Sequence, residues 1–141
     1  MAEQDVYLDP SWPDGTIFQY TVASSSTDPD SGHLRDFVFH VGVDADGLWV
    51  FGDNNAYPGD YYKSPNAVSI PATQAGWYTL QQVFANDNGV LAVTMNVIDS
   101  TGNTVYTTTR SNSGDTIPDV VGGNRYGWFY QVAVPGGLEI D

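Results

Sequence analysis

The chain has 141 residues and carries seventeen acidic against four basic side chains, a formal net charge of −13, with no cysteine. That length suits one domain with a core of its own, and the charge repels phosphate backbones and anionic lipid surfaces, which argues against nucleic-acid partners and membrane-surface binding. Without cysteine there is no disulfide framework, thiolate metal site or cysteine nucleophile. Fifteen of the acids are Asp, with Glu only at Glu3 and Glu139, and Lys63 is the single lysine. Asp belongs to turns and oxygen-rich cation sites, whereas Glu and Lys populate helix surfaces. The composition is therefore one of strands and loops.

In chain order, no eleven-residue window presents the i, i+3, i+4, i+7 apolar face of a helix, and alternation recurs instead. Ile17–Val22 reads as an early strand. From Asp36 the run D-F-V-F-H-V-G-V places Phe37, Phe39, Val41 and Val43 on one face and Asp36, Val38, His40 and Gly42 on the other. Asp44-Ala45-Asp46-Gly47 turns it into L-W-V-F-G-D, a hairpin partner, because Asp-Gly supplies the positive φ of a tight turn. Residues 53–66 form a long irregular stretch with two prolines and three tyrosines, and loops of that length are often functional. Trp77–Phe84 reads as a strand. After Asn86-Asp87-Asn88-Gly89, Val90–Asp99 alternates with Leu91, Val93, Met95 and Val97 inward and Ala92, Thr94 and Asn96 outward. Asp99–Asn103 turns into Thr104–Arg110, and a late strand covers about Arg125–Val132. Short strands separated by turn signals, with no helices between them, predict a sandwich or barrel. No apolar run is long enough to span a bilayer. The abrupt start, and Leu138–Asp141 reading as an unfinished strand, suggest one domain, residues 1–141, of a longer extracellular protein.

Four segments in order, H-L-R-D-F-V-F-H-V at 33–41, A-G-W-Y-T-L at 75–80, N-G-V-L-A-V at 88–93 and V-G-G-N-R-Y-G-W-F at 121–129, resemble the concanavalin A-like, laminin-G-like jelly-roll domains of large secreted or surface-attached bacterial proteins. The likeness spans about Val6–Asp141. It implies an all-β, two-sheet antiparallel jelly-roll sandwich with one concave face. That superfamily holds lectins, carbohydrate-binding modules, glycosidases and plain spacers, so fold alone does not assign function. The sequence departs from the usual pattern in the 53–66 loop, where ligand specificity is expected to vary.

Catalytic patterns are thin. The superfamily's glycosidases resemble one another in a Glu-x-Asp-x-Glu strand, and no such string occurs here; paired carboxylates across a sugar are what that chemistry needs. No G-x-S-x-G nucleophile turn is present. His40, Tyr126 and Arg125 are residue types that a polysaccharide lyase uses. The expectation is a non-catalytic module. Asp36, His40, Asn96 and Arg125, with Tyr126, are candidates to line one polar face and read sugar hydroxyls, since converging polar groups beside aromatics bind polyols by hydrogen bonds and stacking. The competing reading pairs Asp36 with Arg125 or Arg35 as a structural ion pair. Tyr57, Tyr61 and Tyr62, with Trp49 and Trp12, either form a stacking platform or fold the loop back onto the sandwich. Trp77 and Trp128, in dense apolar strands, read as core.

Ca²⁺ is the candidate cofactor, because it takes six to eight oxygens and Asp-rich turns offer carboxylates and carbonyls together. The first-choice ligands are Asp53, Asn54 and Asn55, then Asp28 and Asp30; the 44–46 and 86–88 clusters are similar, and each cluster also reads as an ordinary turn. The leading function is a carbohydrate-binding or adhesion-type module of a secreted bacterial protein, with a glycan or polysaccharide as partner. The alternative is a structural building block that self-associates through edge strands, in which Met1–Leu8 or Leu138–Asp141 is ordered only through a partner chain.

Overall fold

In the computed structural model the described residues are 1–26, 32–54, 64, 66–70, 75–121 and 127–141, and none of them is helical. Among the described residues ten strands form: β1 (Ala2–Leu8), β2 (Ile17–Ser25), β3 (His33–Asp44), β4 (Gly47–Asp53), β5 (Val68–Ser69), β6 (Gly76–Asp87), β7 (Val90–Asp99), β8 (Thr104–Ser111), β9 (Val120–Val121) and β10 (Gly127–Ala133). They make two antiparallel sheets, one of four strands in the order β1-β6-β7-β8 and one of six, running β10-β2-β3-β4-β5 with β9 also on β2. The expected all-β sandwich is what the sequence builds.

The hairpins follow from local chemistry. β6 and β7 are joined by Asn88-Gly89, both at positive φ (53° and 92°), the two-residue turn whose twist matches that of the flanking strands. The β7–β8 turn is organised by the Asp99 carboxylate, which accepts from the backbone N–H of Thr101 and of Asn103, each at 2.9 Å, and from Thr101 Oγ1 at 2.7 Å. These hydrogen bonds, the Thr101 hydroxyl foremost, hold the Asp99 carboxyl below its ordinary value.

Alternation then assigns each side chain a face. Phe18, Tyr20 and Val22 of β2 and Phe37, Phe39 and Val41 of β3 meet Leu80 of β6 and Leu91, Val93, Met95 and Val97 of β7 in one core. Burying each such side chain stabilises the fold by about 1.5–3 kcal/mol. Every residue of β2 is buried, on both faces, so the outward-facing Gln19, Thr21 and Ala23 are as enclosed as the core.

Polar cross-links tie the sheets together. Gln82, on the inner face of β6, donates through Nε2 to the Phe37 carbonyl at 2.9 Å. At the β4–β8 side, Tyr106 Oη accepts the Gly52 N–H at 2.8 Å, while Arg110 donates to the Gly52 carbonyl through Nε at 2.7 Å and through Nη2. One peptide of β4 is thus held on both of its polar ends by the opposite sheet. Gly52 is required there, because a Cβ would lie 2.9 Å from Thr108 Cγ2 and 3.0 Å from Met95 Sδ.

The terminal segments correct one expectation. β1 pairs with β6 along its whole length, and the C-terminal tail lies along its other edge: Tyr7 N–H donates to the Glu139 carbonyl (3.0 Å) and Asp141 N–H to that of Asp5 (3.2 Å). Met1–Leu8 and Leu138–Asp141 therefore find backbone partners within the chain itself. Their alternation showed two incomplete strands without showing that each completes the other.

Candidate binding site

The surface that gathers the most chemistry is the outer face of the six-stranded sheet. Strand register lays its side chains out in rows. Tyr130 of β10, Gln19 of β2, His40 of β3 and Phe51 of β4 form one row, and Trp128, Thr21, Val38 and Asp53 the next. On the other side of the first row, Ile17, Gly42 and Trp49 are in register. Aromatic rings thus occupy both flanks of a polar strip on β2 and β3.

The strip is enclosed. Gln19 and Thr21 have no exposed surface and His40 retains 9%. Gln19 donates through Nε2 to Gln131 Oε1 at 2.8 Å, but among the described residues Gln19 Oε1 and Thr21 Oγ1 have no hydrogen-bond partner. An acceptor or hydroxyl buried without any partner costs about 1–3 kcal/mol, which an ordered water or ion can offset; Gln82 Oε1 and Asp115 Oδ2 are in the same state elsewhere in the molecule. The His40 ring stands 5.9 Å from that of Phe51. Arg110 reaches around the side of the sandwich and places its guanidinium 5.0 Å from the Phe51 ring centre, so the facing sheet supplies a cation to the end of the row. Tyr130, 43% exposed, stands at the open end.

The residues expected from sequence are distributed differently. Asp36 and His40 do share this face, and Asp36 is 3.5 Å from His33 Nε2. Arg35, one suggested partner of Asp36, pairs with the buried Asp115, and the other, Arg125, lies outside the described residues. Asn96 is not on this surface. It lies on the outer face of the four-stranded sheet, in a chain of hydrogen bonds crossing all four strands: Gln81 to Glu3 at 2.7 Å, Asn96 to Gln81 at 2.8 Å and Thr107 to Asn96 at 2.7 Å. Alternation fixes the face of a strand but not the sheet it joins, and this is why Asn96 was grouped with His40.

The tryptophans also change places. Trp77, expected in the core, is 39% exposed on the outer face of the four-stranded sheet, edge-on to Tyr7 with ring centres 5.7 Å apart. Trp128, also expected in the core, is half-buried on the outer face of its own sheet. Trp49, considered for a stacking platform, is buried with its indole laid over Gly42, where a Cβ would meet Cζ2 at 2.4 Å. Trp12 packs partly buried against the core. Arg125, Tyr126, Tyr57, Tyr61, Tyr62, Asn55, Asp28 and Asp30 lie outside the described residues.

For calcium, Asp53 accepts the Asn54 N–H at 2.7 Å, Asp44 the Asp46 N–H at 2.9 Å, and Asn86 the Gly89 N–H at 2.8 Å. These groups serve the turns they occupy. Among the described residues no three or more His, Asp or Glu side chains converge as metal ligands.

Sequence reasoning missed Gln19, Thr21 and Gln131. A signal was present: F-Q-Y-T-V-A alternates, and its polar residues fall on the outer phase of a strand with no charged residue. That reads as an ordinary solvent face, yet the structure buries every residue of β2 on both faces. Comparison of the chain with family models, with curated proteins and with solved structures finds no match.

Proposed function

We propose that this protein is a non-catalytic saccharide-binding module of concanavalin A-like, jelly-roll kinship from a secreted or cell-surface protein, and that the outer face of the six-stranded sheet is where the glycan binds. The observation that carries this reading is the pair of buried groups without partners, Gln19 Oε1 and Thr21 Oγ1, beside His40 and between aromatic flanks. Gln19 and Thr21 have no exposed surface, so a polyol would supply the hydroxyl donors those groups lack only on displacing what covers them, with its ring carbons against the faces of Trp128, Tyr130 and Phe51. The acidic surface disfavours anionic polymers. Calcium enters as a support for the Asp- and Asn-rich turns near this face, Asp53 and Asn54 among them.

The test is a glycan array run in calcium and again in EDTA, followed by calorimetry of the best ligand. Binding that falls at least about tenfold in Gln19→Ala, with the fold intact, supports the assignment, and loss in EDTA adds the metal. Silence across the array in both buffers refutes it.

A second reading, self-association, draws on one observation. The tail occupies the free edge of β1, so among the described residues β8 is the edge of the four-stranded sheet left without a strand partner. Its sequence, T-V-Y-T-T-T-R-S, has neither proline nor lysine to discourage pairing. Sedimentation velocity over a wide concentration range decides this reading, since a constant monomer removes it.

A further inference from the structure

A backbone irregularity of the six-stranded sheet lies beside Gln19. Tyr130 pairs with Gln19 and Ala133 with Ile17, so two residues of β10, Gln131 and Val132, stand opposite the single Phe18. This is a bulge, and bulges re-aim side chains next to functional sites. Gln131 takes a φ of 51°, in the left-handed region that glycine, asparagine and aspartate adopt far more readily than glutamine. A strained residue of this kind persists where its surroundings over-determine it.

Its side chain does one identifiable thing: Gln131 Oε1 accepts the Nε2–H of Gln19 at 2.8 Å. An amide carries a donor at one end and an acceptor at the other. With Nε2 anchored, Oε1 is the end of the amide left without a partner among the described residues. Rotated by half a turn, the same side chain would present N–H instead. The bulge therefore selects which hydrogen-bonding sign the site shows. Thr21 Oγ1, two residues on and about 7 Å along the strand, adds a second unpartnered polar atom on the same face.

The geometry points to Gln131 as a positioning residue that sets this face to recognise hydrogen-bond donors, the hydroxyl groups of a neutral saccharide. This rests on the saccharide reading above and sharpens it, because a ligand offering only acceptors, such as ether oxygens, meets Gln19 Oε1 with the wrong sign. An anionic ligand would also meet Asp36 and Asp53 on the same face.

The experiment uses the full chain with gluco-, galacto- and manno-configured neutral hexose oligosaccharides and their per-O-methylated analogues. It compares wild type, Gln131→Gly and Gln131→Asn. Both substitutions suit a positive φ, and neither side chain reaches as glutamine does, so the melting temperature stays within about 2 °C of wild type. Wild type binds at least one free oligosaccharide and not its methylated form. Both variants bind it at least about tenfold more weakly. The Gln19 side-chain amide resonances, distinct and slow to exchange in wild type, shift and exchange faster in the variants. Unchanged Gln19 resonances in Gln131→Gly, or affinity within about twofold of wild type, overturn the positioning role while leaving saccharide binding in place; equal binding of the methylated ligand overturns the donor preference. If wild type binds none of the oligosaccharides although Gln131 still controls the Gln19 amide, the saccharide reading itself fails and this inference falls with it.

Discussion

Replacing Tyr106 with phenylalanine removes one oxygen from the join between the two sheets and keeps the ring that packs there. The lost atom is the acceptor of the Gly52 N–H at 2.8 Å, and both residues are buried. No cavity larger than a hydroxyl opens, so the dominant effect is a buried amide hydrogen without an acceptor, about 1–3 kcal/mol. For a domain of this size each kcal/mol moves the melting temperature by about 4 °C, giving a fall of about 4–12 °C. Urea unfolding followed by tryptophan fluorescence and circular dichroism measures it, with the midpoint moving and the m-value constant. Tyr130→Phe, at the exposed end of the face, is the control and stays within about 0.5 kcal/mol of wild type. The same substitution changes the alkaline limb. Burial, with a smaller contribution from the Asp53 charge, raises the Tyr106 phenol above its ordinary 10.0, against the opposing hydrogen bond to Gly52 and the Arg110 charge. A raised folded-state value means that its contribution is complete below pH 10 and is lost as pH rises through the folded-state value. Tyr106→Phe makes that decline shallower. A Tyr106→Phe change below about 0.5 kcal/mol, or an unaltered alkaline slope, refutes the idea that this phenol joins the sheets.

Gly42→Ala forces a Cβ to within 2.4 Å of Trp49 Cζ2 and 2.8 Å of the Thr16 carbonyl oxygen; it destabilises by about 1–3 kcal/mol, and a shift in tryptophan emission reports displacement of the indole. Arg35→Ala leaves the Asp115 carboxylate, which is 3% exposed, without its cation; chemical denaturation shows a loss of about 3 kcal/mol, more than Asp115 and Arg35 lose when replaced together by Asn and Met. The Asp99 carboxyl lies below its ordinary 3.8, so its contribution is complete above that value and disappears as pH falls through the folded-state value. Asp99→Asn flattens the acid limb of the stability profile below about pH 4, which thermal melts over a falling pH series record.

Much of the fold was legible because alternation is a local property. The inward sets on β3 and β7 were readable position by position, and the Asp-Gly and Asn-Gly turns were readable from the conformations that those residues favour. Sheet membership was not, because it depends on which strands meet across long separations in sequence; Asn96 and His40 have matching phases and belong to different sheets. Aromatic residues misled for a related reason. Trp77 stands amid apolar residues in sequence, yet its phase along β6 is that of Thr79 and Gln81, outward. At the candidate site, charged and titratable groups drew the reading toward Asp36 and His40, while the groups left unsatisfied are the amide of Gln19 and the hydroxyl of Thr21. Their significance comes from burial and from partners they lack, and neither is written in residue type. Gln131 acts through a bulge, which shifts register without a sequence signal of its own.

Calorimetric titration of the best array ligand into wild type, Gln19→Ala and Thr21→Val tests the proposal that a neutral glycan binds at the outer face of the six-stranded sheet through Gln19 and Thr21. Saturable one-site binding by wild type, weakened at least about tenfold in each variant, is expected, with melting temperatures no lower than wild type by more than a few degrees. Wild-type affinity retained in both variants, or no heat of binding with any glycan in calcium or EDTA, contradicts it.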